Sequence, residues 1–198
     1  MSARLLILRH GATEWSATGR WAGSTDLPMT PVGEQEAGEA AAFLTAEPVD
    51  RLWTSPLKRA RRTAEIYLAH FAYPPFAPQV IDDLREADFG PFEGLDPDHG
   101  DLEDPKVNAF RRHLAGDQNR KVAGPEPLGL VARRGARVLR EAAELGGTTL
   151  LIGHGTLTRL ALCELFGIDV AHFRRFHLVT GGIIELSGTP DALRLRLG

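Results

Sequence analysis

Two short apolar runs, each leading into a histidine and a glycine, are the sequence feature that most constrains the fold of this chain. The first run covers residues 5–8 and leads through Arg9 to His10, and the second covers residues 148–153 and leads to His154. Continuous apolar runs of this length are typical of strands that are covered on both faces. In open α/β sheets the chemistry gathers beyond the carboxyl ends of the strands. Two adjacent parallel strands would therefore bring both imidazoles into one crevice.

Helical and strand patterns alternate along the rest of the chain. Thr30-Pro31 and Ser55-Pro56 each offer an N-cap followed by a proline, which predicts that helices begin there. Helices are predicted over residues 33–44, 57–70, 127–145 and 157–166, the last ended by Gly167. Strands are predicted over 5–8, 52–54, 79–81, 148–153, 176–179, 183–186 and 193–197, the closing ones partly antiparallel through Gly181-Gly182.

This order predicts an α/β fold, a three-layer α/β/α sandwich with a mostly parallel central sheet. A single domain is expected over residues 1–198, because the composition of a chain of this length suits one compact core. Residues 95–127 are rich in Asp, Pro and Gly, with a short helix near 107–114, and are expected to form a lid-like insertion.

Composition excludes several classes of function. A net charge of −3 argues against a nucleic-acid partner. The single cysteine, Cys163, cannot form an internal disulfide, and no residues have zinc-ligand spacing. No secretory signal and no run of membrane-spanning length is present. A cytoplasmic protein without a membrane partner, monomeric or homodimeric, is the prediction.

Four sequence blocks in order resemble the histidine phosphatase superfamily, also called phosphoglycerate mutase-like, and in particular its phosphatase branch. They are residues 9–15 (RHGATEW), 55–64 (SPLKRARRTA), 84–94 (LREADFGPFEG) and 153–155 (GHG). The chain departs from the family pattern at Ala12, Ser16, Gly153 and Pro127. The departures at Ser16 and Pro127 put secondary phosphate or loop contacts in question.

The resemblance implies a phosphatase that acts on a small phosphorylated metabolite without a metal or another cofactor. A phosphate monoester repels anionic nucleophiles, whereas a neutral imidazole attacks phosphorus without bringing negative charge. His10 is therefore the expected covalent nucleophile and Glu86 the general acid. Arg59, in the first turn of its helix, is expected to offer a planar fork to the phosphate oxygens. The catalytic set is Arg9, His10, Arg59, Glu86 and His154, and the substrate-binding set is Arg9, Thr13, Ser16, Trp21, Ala22, Gly23, Arg59, Glu86, His154 and Gly155.

Several alternatives stay open on the sequence alone. A cofactor-dependent phosphoglycerate mutase would need residues for a substrate carboxylate, and Arg111-Arg112 in the insertion are candidates. A catalytically inactive phosphate-binding module is a further alternative. Glu86 by itself is equally well a surface glutamate paired with Arg85. The aromatic residues Trp21, Phe92 and Phe110 either contact a leaving group or pack within loops. The physiological substrate and the pH optimum are not encoded in any pattern that we can interpret.

Overall fold

One six-stranded sheet forms the centre of the computed structural model, which describes residues 2–71, 76–115 and 124–196. Its strands are β1 (Ala3–Arg9), β2 (Arg51–Thr54), β3 (Gln79–Val80), β4 (Gly147–Gly153), β5 (Ile183–Thr189) and β6 (Ala192–Arg196), in the order β3-β2-β4-β1-β5-β6. The first four in this order pair in parallel, and β5 pairs antiparallel with both β1 and β6. The predicted α/β class with a mostly parallel sheet is confirmed.

Six α-helices accompany the sheet within the described residues. They are α1 (Glu14–Ala17), α2 (Pro31–Leu44), α3 (Lys58–Leu68), α4 (Pro105–Leu114), α5 (Leu128–Glu144) and α6 (Gly155–Phe166). Short 3-10 turns lie at Asp82–Leu84, Gly90–Phe92 and Val170–Arg175. Gly167 ends α6 in the left-handed conformation, with φ of 65°, as its position predicted.

Alternate residues of β1 serve two separate cores. Leu5 and Ile7 pack in the cluster that contains α4, α5 and α6, while Leu6 and Leu8 pack in the cluster that contains α2 and α3. Successive side chains of a strand point to opposite faces of the sheet. Both faces are therefore covered by helices, which gives the three layers and explains why this strand is apolar throughout.

The two predicted N-caps turn out differently. The Thr30 hydroxyl accepts a hydrogen bond from Gly33 N at 3.1 Å and Pro31 opens α2, so this prediction is confirmed. The prediction for Ser55 is wrong, because α3 begins after Leu57, which provides no side-chain cap. The Ser55 hydroxyl accepts a hydrogen bond from Leu57 N at 3.3 Å and contacts His154 Nε2 at 2.7 Å.

The predicted strand at residues 176–179 is also wrong. This segment follows the 3-10 turn and crosses the carboxyl edge of the sheet, where the Leu178 carbonyl accepts a hydrogen bond from Arg9 Nη1. Its backbone is used for that contact and for the turn in which Gly182 N donates to Val179 O, not for a ladder. Gly181-Gly182 therefore leads into β5, and the antiparallel hairpin joins β5 to β6 instead.

The insertion at residues 95–127 contributes to the core through α4. Val107, Phe110 and Leu114 of this helix are buried. Residues 116–123 of the insertion lie outside the described residues. A lid function for the segment stays a prediction.

Two backbone segments meet so closely near His10 that only glycine fits at the contact. A Cβ atom on Gly11 would lie 1.9 Å from the Gly33 carbonyl oxygen, and one on Gly33 would lie 2.1 Å from the Ala12 carbonyl oxygen. Both obstacles are backbone atoms, which cannot rotate away as a side chain does. The first turn of α2 therefore packs directly against the segment that follows His10.

Gly33→Ala is expected to destabilise the protein by about 1–3 kcal/mol, the usual cost of overpacking. Gly38→Ala, in the same helix, is the matched control, because a Cβ atom there meets nothing within 4 Å. This control should be neutral or stabilising by about 0.5–1 kcal/mol, since alanine loses less backbone entropy in a helix than glycine. Chemical denaturation of both variants measures the difference, and equal stabilities would contradict the assigned contact.

Candidate active site

The histidine pair predicted from the sequence is assembled by the pairing of β1 with β4. The two strands are parallel neighbours with Arg9 opposite Gly153, and His10 N donates a hydrogen bond to the Gly153 carbonyl at 3.1 Å. The ring centroids of His10 and His154 lie 5.1 Å apart, with the planes tilted by 58°. Both side chains are buried. The expectation that two parallel strand ends bring the imidazoles together is confirmed.

The tautomer of His10 follows from its hydrogen bond. Nδ1 lies 2.7 Å from the carbonyl oxygen of Gly11. A carbonyl oxygen only accepts, so Nδ1 carries the proton. In a neutral ring Nε2 then has a free lone pair, which is the form that a nucleophilic imidazole requires.

Burial and nearby positive charge keep both imidazoles neutral. Burial is the main cause that lowers the pKa of His10 well below 6.5, and the charges of Arg59 and Arg9 lower it further. The pKa of His154 is lowered in the same direction by burial and then by Arg59. A cation costs much more to bury than a neutral ring, and more still beside other cations.

Arg9 projects from the carboxyl end of β1 with part of its guanidinium unpaired. Its Nη1 donates to the Leu178 carbonyl at 2.6 Å, whereas its Nε is buried without a hydrogen-bond partner among the described residues. Burial lowers the pKa of Arg9, and the carboxylates of Glu86 and Glu36 act in the opposite direction. A buried donor without a partner costs free energy unless a ligand supplies the acceptor.

The guanidinium group of Arg59 does not present the open planar fork that the sequence predicted. Its Nη1 donates to the Thr25 carbonyl at 2.9 Å and its Nη2 to the Gly23 carbonyl at 2.8 Å. The planar fork is therefore occupied by the protein's own backbone, and Nε is the guanidinium donor left buried without a partner in the described chain. The side chain is fully buried, and burial lowers its pKa. Its contribution to the site is a fixed positive charge and one N–H group.

The N-terminus of α3, which the sequence predicted as an anion-binding site, is occupied by a carboxylate of the chain. Lys58 N donates to Asp26 Oδ1 at 2.7 Å, so a carboxylate of the chain itself sits at this helix N-terminus. Lys58, Arg61 and Arg62 are exposed, as predicted for the solvated side of the helix.

Glu93 fixes the loop that holds Arg59. Its carboxylate accepts hydrogen bonds from Ser24 N at 2.6 Å and Thr25 N at 2.7 Å, and from both hydroxyl groups. The side-chain hydrogen bonds from Thr25 and Ser24, opposed by burial, lower the pKa of this carboxyl group. Glu93 is thus tied to the backbone next to the two carbonyls that orient Arg59.

His154 contacts the Ser55 hydroxyl through Nε2 and leaves Nδ1 buried without a partner among the described residues. Arg9 and Arg59, whose charges lower the pKa of His10, and the neighbouring ring of His154 thus each keep one buried nitrogen without a partner in the described chain. The sequence had assigned Ser55 to a helix cap, and only the packing of β2 beside β4 brings it to His154.

Glu86 is buried, not a surface residue paired with Arg85. Its carboxylate accepts hydrogen bonds from Thr156 N at 2.9 Å and Leu157 N at 2.8 Å, at the start of α6. Arg134 donates hydrogen bonds to the carbonyls of Arg85 and Glu86 and forms an ion pair with Glu126. These contacts fix the backbone of the segment that carries Glu86. Glu86 is thereby fixed between the backbone of α6 and the cavity.

A cavity of about 320 Å³ opens in front of His10. Of the residues predicted from the sequence, it is lined by Arg9, His10, Thr13, Ser16, Trp21, Ala22, Glu86 and Gly155. Gly23, Arg59 and His154 do not line it. Gly23 contributes a carbonyl that accepts a hydrogen bond from Arg59. The side chains of Arg59 and His154 are fully buried.

The departures from the family pattern have local explanations. The Ser16 hydroxyl accepts a hydrogen bond from Thr13 N at 2.8 Å and completes a capping box at α1. Pro127 occupies the N-cap position of α5 without a side-chain cap, and it does not line the cavity. The preceding residue, Glu126, forms an ion pair with Arg134.

Sequence reasoning missed the outer wall of the cavity. Arg159, Arg174, Asp98, Phe89, Phe176 and His177 line it, together with Gly19, Arg20 and Thr156. Arg159 was accessible to prediction, because it lies one helical turn after Gly155 on α6. His177 was not, since its segment was assigned to a strand, and Arg174 lies just before that segment, where no element was predicted. Arg111 and Arg112 are exposed and do not line the cavity.

The aromatic candidates divide between the core and the cavity. Phe92 and Phe110 are buried and stack on each other with centroids 5.2 Å apart, so they are ordinary packing. Trp21 lines the cavity and packs edge-on against Phe89 and Phe110. Over the residues that the structure describes, no cluster of His, Cys, Asp or Glu has the arrangement of a metal site, and no helix has the length and apolarity of a membrane span.

A family model described as the histidine phosphatase superfamily (branch 1) matches residues 5–197 of the chain. The chain is 30% identical over 194 residues to 2-carboxy-D-arabinitol-1-phosphatase of Triticum aestivum, covering 95% of this chain and 37% of that protein. It is 30% identical over 179 residues to a probable phosphoglycerate mutase of Cronobacter sakazakii, covering 88% and 80%. The matches cover less than half the length of several of the curated relatives.

Solved structures share the fold. A variant of phosphoserine phosphatase from Entamoeba histolytica, in complex with phosphoserine, superposes with a TM-score of 0.83. The match covers 98% of this chain and 95% of that one at 22% sequence identity. At this identity the likeness concerns the fold alone.

His10 is expected to remain neutral, with its proton on Nδ1, at pH 6.5, where an unperturbed imidazole is half protonated. The sign follows from the site, since burial and two neighbouring guanidinium groups all disfavour the cation. Nitrogen NMR of histidine-labelled protein distinguishes the tautomers, and loss of a signal in His10→Asn assigns the resonance. Half-protonation at or above pH 6.5, or a proton on Nε2, would contradict this geometry.

Proposed function

The chain belongs to the histidine phosphatase superfamily, branch 1, and from this membership we propose that it is a phosphomonoesterase. It hydrolyses small phosphorylated metabolites through a covalent phosphohistidine at His10 and needs no metal ion. The relatives include proteins named as phosphatases with different substrates, so their names support the reaction and leave the substrate open.

One observation carries the proposal. The free Nε2 of His10 belongs to a neutral ring, and the nearest cationic and polar side chains keep buried nitrogen atoms without partners. These atoms are Arg9 Nε, Arg59 Nε and His154 Nδ1. Arg9 lines the cavity beside His10 and suits an oxygen of a tetrahedral anion whose phosphorus meets the imidazole, while the fully buried Arg59 contributes positive charge.

In the first half-reaction, His10 Nε2 forms a bond to phosphorus as the ester P–O bond breaks. Negative charge spreads over the equatorial oxygens, where the charges of Arg9 and Arg59 stabilise it. The leaving oxygen takes a proton from Glu86, which lines the same cavity. The products of this step are the free alcohol, phospho-His10 and ionised Glu86.

In the second half-reaction, ionised Glu86 removes a proton from a water molecule as its oxygen attacks the phosphorus of phospho-His10. The N–P bond breaks, inorganic phosphate leaves and the neutral ring of His10 returns. One carboxyl group thus serves as acid and then as base. The hydrogen bonds from Thr156 N and Leu157 N keep it in position for both steps.

The positive charge of the site comes from arginine in this proposal. Arg9 and Arg59 take the part that a divalent cation plays in other phosphoryl-transfer enzymes. The cytoplasmic location and the monomeric or homodimeric state predicted from the sequence are parts of the same proposal, as is the lid function of residues 95–127.

A cofactor-dependent phosphoglycerate mutase is the second candidate, because relatives that match most of this chain carry that name with the word probable. Its phosphohistidine would pass the phosphoryl group to a second sugar acid instead of to water. The exposure of Arg111 and Arg112 removes the carboxylate-binding residues that the sequence had suggested for it. Comparing phosphate release with phosphoryl transfer to 2-phosphoglycerate discriminates the two reactions.

Trapping the covalent intermediate tests the proposal directly. Wild-type protein quenched during turnover of a phosphorus-labelled aryl phosphate should carry an acid-labile, base-stable label, and His10→Ala should carry none and lose activity. His70→Ala, at an exposed histidine away from the site, is the matched control and should behave as wild type. Undiminished turnover by His10→Ala would refute the covalent mechanism, and absence of any turnover or label in the wild type would favour a phosphate-binding module.

Glu86→Gln separates proton transfer from phosphate binding. An alkyl phosphate leaves as a strong base and needs a proton, whereas a nitrophenyl phosphate leaves as a stable anion. Phosphorylation by the alkyl ester should therefore slow by about a hundred- to ten-thousandfold, the usual contribution of general acid catalysis, and by the aryl ester far less. Single-turnover kinetics measures this step.

Glutamine keeps only one of the two oxygens that accept from Thr156 N and Leu157 N, and its amide nitrogen would face the other N–H group, so thermal denaturation must show that the variant is folded. Glu144→Gln, on the exposed side of α5, is the control for loss of one negative charge. Equal slowing with both esters would make Glu86 a binding or structural residue. Neither of the nearby carboxylates, Asp88 and Glu93, lines the cavity, and both accept hydrogen bonds from the Ser24 hydroxyl.

A further inference from the structure

The peptide group between Gly11 and Ala12 makes hydrogen bonds through both of its polar atoms. Its carbonyl oxygen lies 2.7 Å from Nδ1 of His10, and its N–H group donates to Oε2 of Glu36 at 2.8 Å. One planar peptide unit therefore connects the nucleophilic ring to a carboxylate of α2. Hydrogen bonds in such a chain polarise the group that they share and strengthen one another.

Close packing of α2 fixes the position of this peptide. A Cβ atom on Gly33 would lie 2.6 Å from Ala12 N, so the helix touches the peptide backbone directly. Thr30 donates to the Ala12 carbonyl from its backbone N at 2.9 Å and from its hydroxyl at 3.2 Å. On the other side, a Cβ atom on Gly181 would lie 3.1 Å from Cβ of Glu36. The Glu36 side chain is therefore set in a rigid backbone frame.

The carboxylate of Glu36 is directed at the site, unlike another carboxylate of the same helix. Glu34 pairs with Arg62 on the exposed surface at 2.7 Å. Over the part of the chain that the structure describes, the hydrogen bond from Ala12 N is the one that Glu36 accepts. Burial lowers the pKa of Arg9, and the charge of Glu36 is among the causes that oppose it. The negative charge of Glu36 is therefore felt within the active site.

Transfer of a phosphoryl group to His10 creates a positive charge on its ring. Nε2 uses its lone pair for the bond to phosphorus while Nδ1 keeps its proton, so the phosphorylated ring is an imidazolium. Burial and the charges of Arg59 and Arg9 disfavour a cation at this place. A carboxylate beyond the shared peptide favours it, because hydrogen bonds that involve an ionised group are about twice as strong as neutral ones.

We propose that Glu36 is a positioning residue that acts on His10 through the Gly11–Ala12 peptide, holding the proton on Nδ1 and stabilising the positive charge that the ring acquires on phosphorylation. This inference rests on the proposed function, since the charge develops only if His10 is phosphorylated. The two half-reactions then depend on Glu36 in opposite ways. Its carboxylate speeds phosphorylation, and it slows hydrolysis of phospho-His10, because the ring loses its positive charge as the N–P bond breaks.

Glu36→Gln tests the proposal, because it keeps an oxygen for Ala12 N and removes the charge. Phosphorylation by 4-nitrophenyl phosphate, measured as nitrophenol release in a single turnover, should slow by about three- to tenfold. Decay of the acid-labile label after removal of substrate should speed up by a similar factor. Glu36→Asp, which keeps the charge, should slow phosphorylation less. Glu39→Gln, exposed on the same helix, is the matched control and should leave both rates within about twofold of wild type.

The opposite signs distinguish this role from two others. A displaced ring would be phosphorylated and dephosphorylated less well, so slowing of both steps by Glu36→Gln in a protein that thermal denaturation shows to be folded would overturn the inference. Faster phosphorylation would also overturn it, and would assign Glu36 to reducing the positive charge of Arg9. Unchanged rates in both steps would mean that the charge of Glu36 does not reach His10.

A spectroscopic measurement makes the result independent of turnover. In the unphosphorylated protein, the Nδ1 proton signal of His10 should move to higher field in Glu36→Gln, because the Gly11 carbonyl becomes a weaker acceptor. Its loss in His10→Asn assigns the signal. A shifted signal without any turnover or label in the wild type would refute the proposed function and support the positioning of His10 by Glu36. An unchanged signal would overturn the inference, whatever the activity.

Discussion

The parallel ladder between β1 and β4 is the interaction on which the rest of the site depends. It sets Arg9 opposite Gly153, so the next residues, His10 and His154, leave the sheet side by side. Register in a buried strand is strongly fixed, because a slip by one residue would turn Leu6 and Leu8 into the wrong core. The hydrophobic pattern that stabilises the fold therefore also fixes the distance between the two imidazoles.

The fold places the guanidinium groups of Arg9 and Arg59 near the neutral rings of His10 and His154. The carbonyls of Gly23 and Thr25 hold Arg59, and Glu93 holds the loop that carries them. The N-termini of α3 and α6 are occupied by carboxylates of the chain, Asp26 and Glu86 respectively. Side-chain cations, not helix ends, are thus left to meet an anion. Donors fixed in advance in a site away from water stabilise developing charge most effectively.

The errors of the sequence analysis share a cause. Ser55-Pro56 has the local signature of a helix start, yet the Ser55 hydroxyl lies against His154 from a distant part of the chain. The segment at 176–179 has strand composition, yet its backbone turns toward Arg9. Local signals describe what a segment prefers by itself, and tertiary contacts outweigh preferences of about 1 kcal/mol.

The sequence by itself determined the fold class, the parallel pairing of the two histidine strands and the identities of His10, His154, Arg9, Arg59 and Glu86 as site candidates. Burial on both faces is legible in the apolar pattern of a strand, which explains the fold class and the pairing, whereas Arg59 and Glu86 were identified by their resemblance to the family's motifs. Only the tertiary structure decided that the fork of Arg59 is closed by two carbonyls, that Glu86 is held by α6, and that Arg159 lines the cavity. Those features depend on side-chain directions and on contacts between segments far apart in the chain, which no local pattern encodes.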